Sequence, residues 1–420
     1  MVVGINTASS QSGRAYCADL MQRGYAIQGY ARESSHGNEF VEAVNDLEGI
    51  FLDRPQNSNN ELKKFLNMKT NSINHNLMEL VNKADYIILA EPSHYFLQSI
   101  KEMAECGLKE KRIPIILSPS RSFSTPYIWE ILGEMYPVVS FSTCPYSCKA
   151  PRPDTAYIKR RKRNWLASLE GEFKLSQIAE LGQLFPQAIF NKKPITTSIG
   201  NIGAVFHPGT YLLNYEVIKQ RENEGTVFSF YMEGIAARAE VGSILEKIDQ
   251  MRIEIASKLG FGVFGLKGNP REEEWKEIME AIRLSELPIS NITELRTLRR
   301  NGLQKLNFSI PSCVHWLDYT YGVHRQVGES LSDAIDRTPT YQKNSVPQKR
   351  YVEEDIATGL IPLTNYAKRL GINVEAAEMI LELCNKFYPE RERKNDRTLE
   401  EFSDDYLKRY LLGEFFSVKD

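Results

Sequence analysis

Along the chain, short apolar runs alternate with helical periodicities. Val2–Asn6 is an apolar run. A loop of small polar residues, Thr7–Gly13, follows it, then a helical pattern over Arg14–Arg23 closed by Gly24, then a second strand-like run, Tyr25–Ala31. Strand, small-residue loop, helix and strand in this order predict a βαβ unit. The alternation continues with a helix over Asn71–Lys83, a buried strand over Asp85–Ala90, a helix over Tyr95–Cys106, a strand over Ile113–Leu117, a helix over Tyr127–Tyr136 and a strand over Val138–Ser142. Such a series builds a parallel sheet covered by helices. After Pro194 the character changes. Long helical patterns take over at Tyr211–Arg221, Ser229–Leu259, Glu272–Leu284, Val352–Leu370, Asn373–Phe387 and Leu399–Leu412. The pattern predicts an α/β Rossmann N-terminal domain over residues 1–194 and an all-α C-terminal domain over 195–420, with the boundary near Lys192–Ser198.

Composition narrows the function. The 420 residues suffice for two domains with cores of their own. With 52 basic and 54 acidic side chains, no overall charge points to nucleic acid or a membrane surface. The one basic run, Lys159–Arg163, lies between Ala156–Ile158 and Trp165–Ala167, so it reads as the solvated face of a strand. The six cysteines are scattered, and only Cys144 and Cys148 stand close together; no second pair completes a zinc site, and no metal is expected. Reduced thiols, an N-terminus without a basic region and no apolar run of transmembrane length predict a cytoplasmic chain.

The loop after the first strand is where a dinucleotide pyrophosphate would rest on backbone amides and a helix N-terminus. A G-x-G-x-x-G template places Ala8, Ser10 and Gly13 at its glycine positions, and only Gly13 survives. Ala8, Ser9, Ser10 and Gly13 are the candidate cofactor-binding residues, with the hydroxyls of Ser9, Ser10 and Ser12 as phosphate donors. The acid that usually meets the ribose 2′-hydroxyl is replaced by Ala31, followed by Arg32, Ser34 and Ser35. A missing carboxylate and an added guanidinium favour a 2′-phosphate, hence NADPH over NADH; an ordinary surface arginine is the alternative. Pro92 and Ser120 stand at later strand ends, where open α/β sheets place ligands, although plain turn chemistry explains them as well.

The stretch Thr196–Asn214 holds His207, one of only six histidines, directly before Pro208 and Gly209. A histidine at the mouth of a helix beside an apolar segment is placed to exchange protons near neutral pH. A histidine that merely caps or packs that helix is the other reading.

Four segments carry a resemblance. Thr143-Cys144-Pro145-Tyr146-Ser147-Cys148-Lys149, Asn201 with His207-Pro208-Gly209, Phe230-Tyr231 and Gly234 followed by Asp249 and Arg252, and Arg350-Tyr351-Val352-Glu353-Glu354-Asp355 with Gly359-Leu360 occur in this order. They resemble the T-x-P-Y-A-C-R, N…H-P-[AG], F-Y…D-x-x-R and R-Y-x-x-E-D…G-L segments of opine dehydrogenases of the octopine/nopaline type. Two departures stand out: the glycine loop is eroded, and the family's second Asn before the histidine is Gly203 here. Ser140-Phe141-Ser142-Thr143 also resembles the staphylopine branch, whose members make metal-chelating opines.

The resemblance implies a Rossmann domain joined to a helical domain. It also implies reduction of the imine between an amino acid amine and a 2-oxo acid such as pyruvate; the sequence leaves the oligomeric state open, a homodimer among the options. His207 becomes the proton manager and Asp355 the carboxylate that fixes its tautomer; a helix-opening acid is the plainer account of Asp355. Arg350 becomes the bidentate anchor of a substrate carboxylate. Thr143, Asn201 and Tyr231 are further candidates for contacting substrate. Arg350 and Asp355 are five apart and would diverge on one helix, so Arg350 is expected in the preceding loop, Asp355 in the first helical turn, and both in an interdomain cleft. A simple alcohol or hydroxy-acid dehydrogenase, and a non-catalytic nucleotide-binding protein, remain alternatives.

Overall fold

In the computed structural model the described residues are all but 56–62, 70, 163, 267–270, 285–291, 343–345 and 420. They form two units. The first comprises Met1–Ser120, Ser124–Thr197 and Gly413–Asp420, and the second Arg121–Phe123 and Ser198–Leu412.

The first unit is built on a nine-stranded sheet. Its parallel part runs, edge inwards, Ile73–Asn74, Ala26–Tyr30, Val2–Asn6, Tyr86–Leu89, Ile115–Leu117 and Val138–Phe141. Tyr86–Leu89 and Ile115–Leu117 are buried at every residue, as strands covered on both faces must be. Trp165–Lys174 joins antiparallel to Val138–Phe141. Its far end pairs with Phe416–Lys419, which draws the last residues out of the helical half of the sequence and into the first unit.

Local chemistry explains where other expectations shift. The helix before Asp85 begins at Leu77 rather than Asn71, because Ile73–Asn74 pairs beside Ala26–Tyr30 and Asn76 caps the helix by accepting from Glu79 N at 3.1 Å. Thr143–Cys148 is more than a turn: Tyr146–Lys149 pairs with Thr155–Arg161 in a second, four-stranded sheet completed by Gly49–Asp53 and Lys63–Asn67. In the basic run, Lys159 and Arg160 face solvent, Arg161 pairs with Asp19 at 3.2 Å, and Arg163 lies outside the described residues.

The second unit is mainly helical, and among its described residues a short parallel pair joins Gly262–Phe264 to Ser309–Pro311. Two helices expected to be continuous are interrupted. Met232–Ala236 is π-helical and precedes the helix Ala239–Lys258; Ile356–Leu360 is π-helical between Arg350–Asp355 and Ile361–Arg369. Such insertions are often found at functional sites. Here one directly follows Tyr231 and the other directly follows Asp355.

Candidate active site

His207 sits inside the helix Gly203–Leu213, not at its mouth, because the apolar pattern extends back through Phe206, Val205 and Ala204. Pro208 lies within the same helix and removes the N–H that would bond the carbonyl of Ala204. The His207 Nδ1 lies 2.8 Å from Asp355 Oδ2. An ionised carboxylate only accepts, so Nδ1 carries the hydrogen and Nε2 keeps its lone pair. The Tyr231 hydroxyl lies 3.4 Å from Nε2. Burial pushes the Tyr231 hydroxyl well above its ordinary range, so it remains a neutral donor. The Tyr351 ring stacks on the imidazole at 4.0 Å between centroids, 17° from parallel.

Asp355 is fully buried, whereas the His207 side chain is 18% exposed. Asp355 ends the helix Arg350–Asp355 rather than opening it, and Arg350 is the first residue of that helix rather than part of a loop. The helix is too short for the pair to be read on a continuous cylinder, since π-helical geometry begins immediately after Asp355. Arg350 is exposed. Its Nε donates to Gln348 Oε1 at 2.6 Å, and its guanidinium lies 5.6 Å from the centroid of the Tyr351 ring that stacks on His207.

Two charged groups that sequence reasoning missed complete the cluster. Arg121 Nη1 lies 3.1 Å from Asp355 Oδ1, and Arg121 Nε donates to Glu354 Oε1 at 3.1 Å. Burial disfavours the Arg121 charge, but the two carboxylates outweigh it and hold the guanidinium above its ordinary value. The available signal was a charged side chain among small residues in Ser118–Pro126. Asn201 is buried and donates to Ser122 Oγ at 3.2 Å, so it holds the Arg121–Phe123 segment. Arg252 and Asp249 form a buried tie: Arg252 Nη2 meets Asp249 Oδ1 at 2.7 Å, and Asp249 Oδ2 accepts from Cys313 N at 2.6 Å.

In the first unit, Gly13 is the residue the nucleotide loop cannot replace. A Cβ there would lie 2.3 Å from Thr7 O and 2.8 Å from Ala8 Cα. In the structure the hydroxyls of Ser10 and Ser12 are engaged with the backbone. Ser10 caps the helix Gln11–Gln22 by accepting from Gly13 N at 2.9 Å, and Ser10 and Ser12 both donate to Ala90 O, at 2.7 and 3.1 Å. Ser9 is buried, and its carbonyl accepts from Arg14 Nε at 2.9 Å; Ala8 is fully buried. Helix geometry leaves the amides of Gln11 and Ser12 for an outside acceptor, and no acidic residue stands in the first turn. This end of the helix fits a pyrophosphate through its backbone.

The remaining first-unit candidates have partners of their own. Arg32 meets Glu102 with two nitrogens, at 2.7 and 3.2 Å. Ser35 donates to Glu39 at 3.0 Å. Pro92 leads into the short 3-10 turn Ser93–Tyr95. Ser120 is buried, with its N and Oγ both turned to Phe141 O, and the Thr143 hydroxyl accepts from Lys162. Among the described residues no group of three His, Cys, Asp or Glu side chains is arranged to hold a metal, and no helix is long and apolar enough to cross a membrane.

The chain resembles known proteins in sequence and in fold. Residues 191–388 match the family model described as NAD/NADP octopine/nopaline dehydrogenase, alpha-helical domain. An opine dehydrogenase of Arthrobacter sp. (strain 1C) is 25% identical over 331 residues, covering 76% of this chain and 75% of that relative. A solved octopine dehydrogenase, in complex with NADH and agmatine, superposes with a TM-score of 0.67 at 16% identity, covering 98% of each chain. A yersinopine dehydrogenase with NADP+ bound gives a TM-score of 0.58 at 12% identity, covering 99% of this chain and 98% of that one.

Proposed function

We propose that the chain, whose residues 191–388 match the octopine/nopaline dehydrogenase family model and which is 25% identical to an opine dehydrogenase, is an NAD(P)-dependent oxidoreductase of that family that condenses an amino acid with a 2-oxo acid such as pyruvate, with NADPH as reductant. The observation that carries the reading is His207 with Nδ1 held by Asp355 at 2.8 Å and Nε2 left as acceptor. In the reaction the amine and the oxo carbon lose water to form an imine. The imine carbon then gains a hydride and its nitrogen ends with a proton, giving an N-(carboxyalkyl) amino acid. NADPH, when bound, supplies the hydride.

His207 Nε2 takes a proton from the substrate ammonium, which makes the amine nucleophilic, and returns one to the nitrogen as the imine is reduced. Asp355 stabilises the imidazolium between these events and keeps the ring from turning. Arg350, exposed and next to Tyr351, offers a planar fork to a substrate carboxylate. Tyr231 donates toward Nε2 and closes one side of the ring. In the first unit, the amides at the start of Gln11–Gln22 and the close packing at Gly13 suit the nucleotide pyrophosphate, and Arg32 suits a 2′-phosphate.

The Arg32–Glu102 pair favours a second reading of the cofactor. A guanidinium already held by a carboxylate leaves that carboxylate beside the ribose position, which suits NADH as well. The test of both readings is oxidation of NADPH and of NADH with pyruvate, with and without a panel of amino acids. Turnover only when both amine and oxo acid are present supports the proposal. Turnover with the carbonyl compound alone replaces it with an alcohol dehydrogenase, and cofactor binding without turnover replaces it with a nucleotide-binding protein. If Arg32 reads the 2′-phosphate, Arg32→Ala weakens NADPH by about 1–3 kcal/mol and spares NADH. Equal losses assign Arg32 to its ion pair alone.

A further inference from the structure

The geometry points to Arg121 as a positioning residue for the His207–Asp355 pair, admitted to the cluster by the missing side chain at Gly203. A buried carboxylate is costly unless a cation or several donors compensate it. Asp355 is fully buried, and only its Oδ2 accepts the hydrogen bond from His207. Oδ1 accepts no well-aligned hydrogen bond among the described residues; what compensates it is the Arg121 guanidinium at 3.1 Å. His207 cannot serve both purposes, because in its neutral form it carries no charge to balance Asp355. Arg121 therefore keeps Asp355 ionised through the half of the proton cycle in which His207 is neutral.

Gly203 explains how a guanidinium reaches that place. A Cβ on residue 203 would lie 2.5 Å from Arg121 Nη1 and 3.0 Å from Asp355 Oδ1. Any larger residue there would evict the guanidinium or push the carboxylate away. The segment that carries Arg121 is itself fixed inside the second unit: Ser122 N donates to Thr358 O at 3.0 Å, Ser122 Oγ to Ser198 O at 2.8 Å, and Phe123 N to Ser198 Oγ at 3.2 Å. Buried Arg397 donates to Ser122 O at 2.7 Å. Arg121 has a left-handed backbone, φ 61°, which a non-glycine residue adopts only when its surroundings hold it there. These ties set the guanidinium in one position, which is what separates a positioning role from a chance surface pair.

The charges around the pair give the proposal its sign. Glu354 and Asp355 are two anions, and Arg121 is the cation in direct contact with both. Tyr231 and Tyr351 face the imidazole as neutral phenols, since burial raises both. Arg350 lies over Tyr351, and Arg397 lies behind the Arg121 segment. Taking away Arg121 leaves the anions in excess and draws a proton to His207.

The proposal rests on His207 being the proton-handling group, so its test has a readout that needs no substrate. The imidazole signals of 15N-histidine-labelled protein, with His207 assigned by its loss in His207→Gln, are titrated in the parent and in Arg121→Gln, Arg121→Lys and Gly203→Ala. His207 titrates at higher pH in Arg121→Gln, returns toward the parent in Arg121→Lys, and moves upward in Gly203→Ala although no charge has been removed. Gly203→Ala adds little to Arg121→Gln, because the group it would displace is already gone.

Turnover of NADPH with pyruvate and whichever amino acid is active falls roughly 10- to 100-fold in kcat for Arg121→Gln, with KM changed much less and the pH profile displaced in the same direction. Thermal unfolding shows which variants are folded; should Arg121→Gln not fold, Arg121→Lys and Gly203→Ala carry the comparison. An unmoved His207 titration in the folded variants overturns the proposal and leaves Arg121 as packing. A shifted titration in a protein that shows no opine activity upholds the coupling and rejects the substrate reading instead.

Discussion

Among its described residues the second unit contains two histidine–carboxylate pairs, and they differ where it matters for chemistry. In the first, His207 gives its Nδ1 hydrogen to Asp355 at 2.8 Å, has its Nε2 3.4 Å from a tyrosine hydroxyl, and is 18% exposed. In the second, Ser312 Oγ lies 2.7 Å from His315 Nδ1 and Glu272 Oε2 lies 3.0 Å from Nε2, and the imidazole is fully buried. The tautomers are opposite, because the carboxylate takes Nδ1–H in one and Nε2–H in the other. The positions of the charge are opposite too: Asp355 is the buried partner of an accessible imidazole, and Glu272 is the partly exposed partner of an inaccessible one. A histidine beside a carboxylate is therefore no site in itself. A site needs a nitrogen that is still accessible and a buried countercharge to hold it ready.

The sharpest test of this contrast is to break the accessible pair. If His207 and Asp355 act as a unit, His207→Ala and Asp355→Asn each lower kcat by roughly 100- to 10,000-fold, and the double variant is little worse than His207→Ala alone. Asp355→Asn is the cleaner probe, since it keeps the shape and removes the charge that holds the tautomer. NADPH affinity, measured by the cofactor's fluorescence, stays near that of the parent in all three. Losses that multiply in the double variant would make Asp355 a helix-terminal acid that acts independently of His207.

How much of this was legible in the sequence follows from how far apart the contributing residues lie. The Rossmann half read well because its signals are local: an apolar run, a small loop, a helix, and the one glycine, Gly13, whose side chain would strike the loop itself. His207 and Asp355 are 148 residues apart, and spacing gave no reason to join them; only the likeness of their segments to the opine dehydrogenases did so. Their placement on elements failed for a local reason. Neither the proline inside Gly203–Leu213 nor the π-helical segment after Asp355 has a periodicity that shows from the sequence.

Arg121 left only a weak signal, a charged side chain in a loop of small residues, and nothing in the sequence joined it to its partners. It falls in chain order between a Rossmann strand and a Rossmann helix, yet it pairs with Glu354, 233 residues later. The serines of the loop differ in the opposite way. Their composition suggests phosphate donors, and the structure shows what composition does not: the hydroxyls of Ser10 and Ser12 cap the loop's own helix and bind Ala90. In short polar loops a hydroxyl's nearest acceptor is usually backbone.

A smaller effect is expected if, as proposed, Arg350 holds substrate and His207 moves its proton. Arg350→Lys keeps the positive charge and loses the fork, so the apparent affinity for the oxo acid falls, on the order of 10-fold, while the pH profile set by His207 stays in place. Steady-state kinetics with pyruvate varied at saturating amine checks this. An unchanged KM moves the carboxylate anchor elsewhere, and a displaced pH profile places Arg350 in the charge balance of the pair rather than at the substrate.

The smallest effect is expected at the other pair, and it concerns stability rather than turnover. Burial lowers the His315 imidazole below its ordinary value, and the hydrogen bond from His315 lowers the Glu272 carboxyl. For each group the unfolded chain binds its proton at a higher pH than the folded one does. Both contributions are therefore complete at neutral pH. They are lost as the pH falls, first for His315 below the ordinary imidazole value of about 6.5 and then for Glu272 below the ordinary carboxylate value of about 4.3. The unfolding temperature should accordingly drop by a few degrees between about pH 7.5 and pH 5. In His315→Gln that drop is smaller, since the amide keeps a polar group in place without titrating, and the pH dependence of turnover is unaltered. An equally steep drop in His315→Gln would assign the acid sensitivity to other groups. A displaced turnover profile would mean that the buried pair is coupled to the accessible one, and the distinction drawn between them would fail.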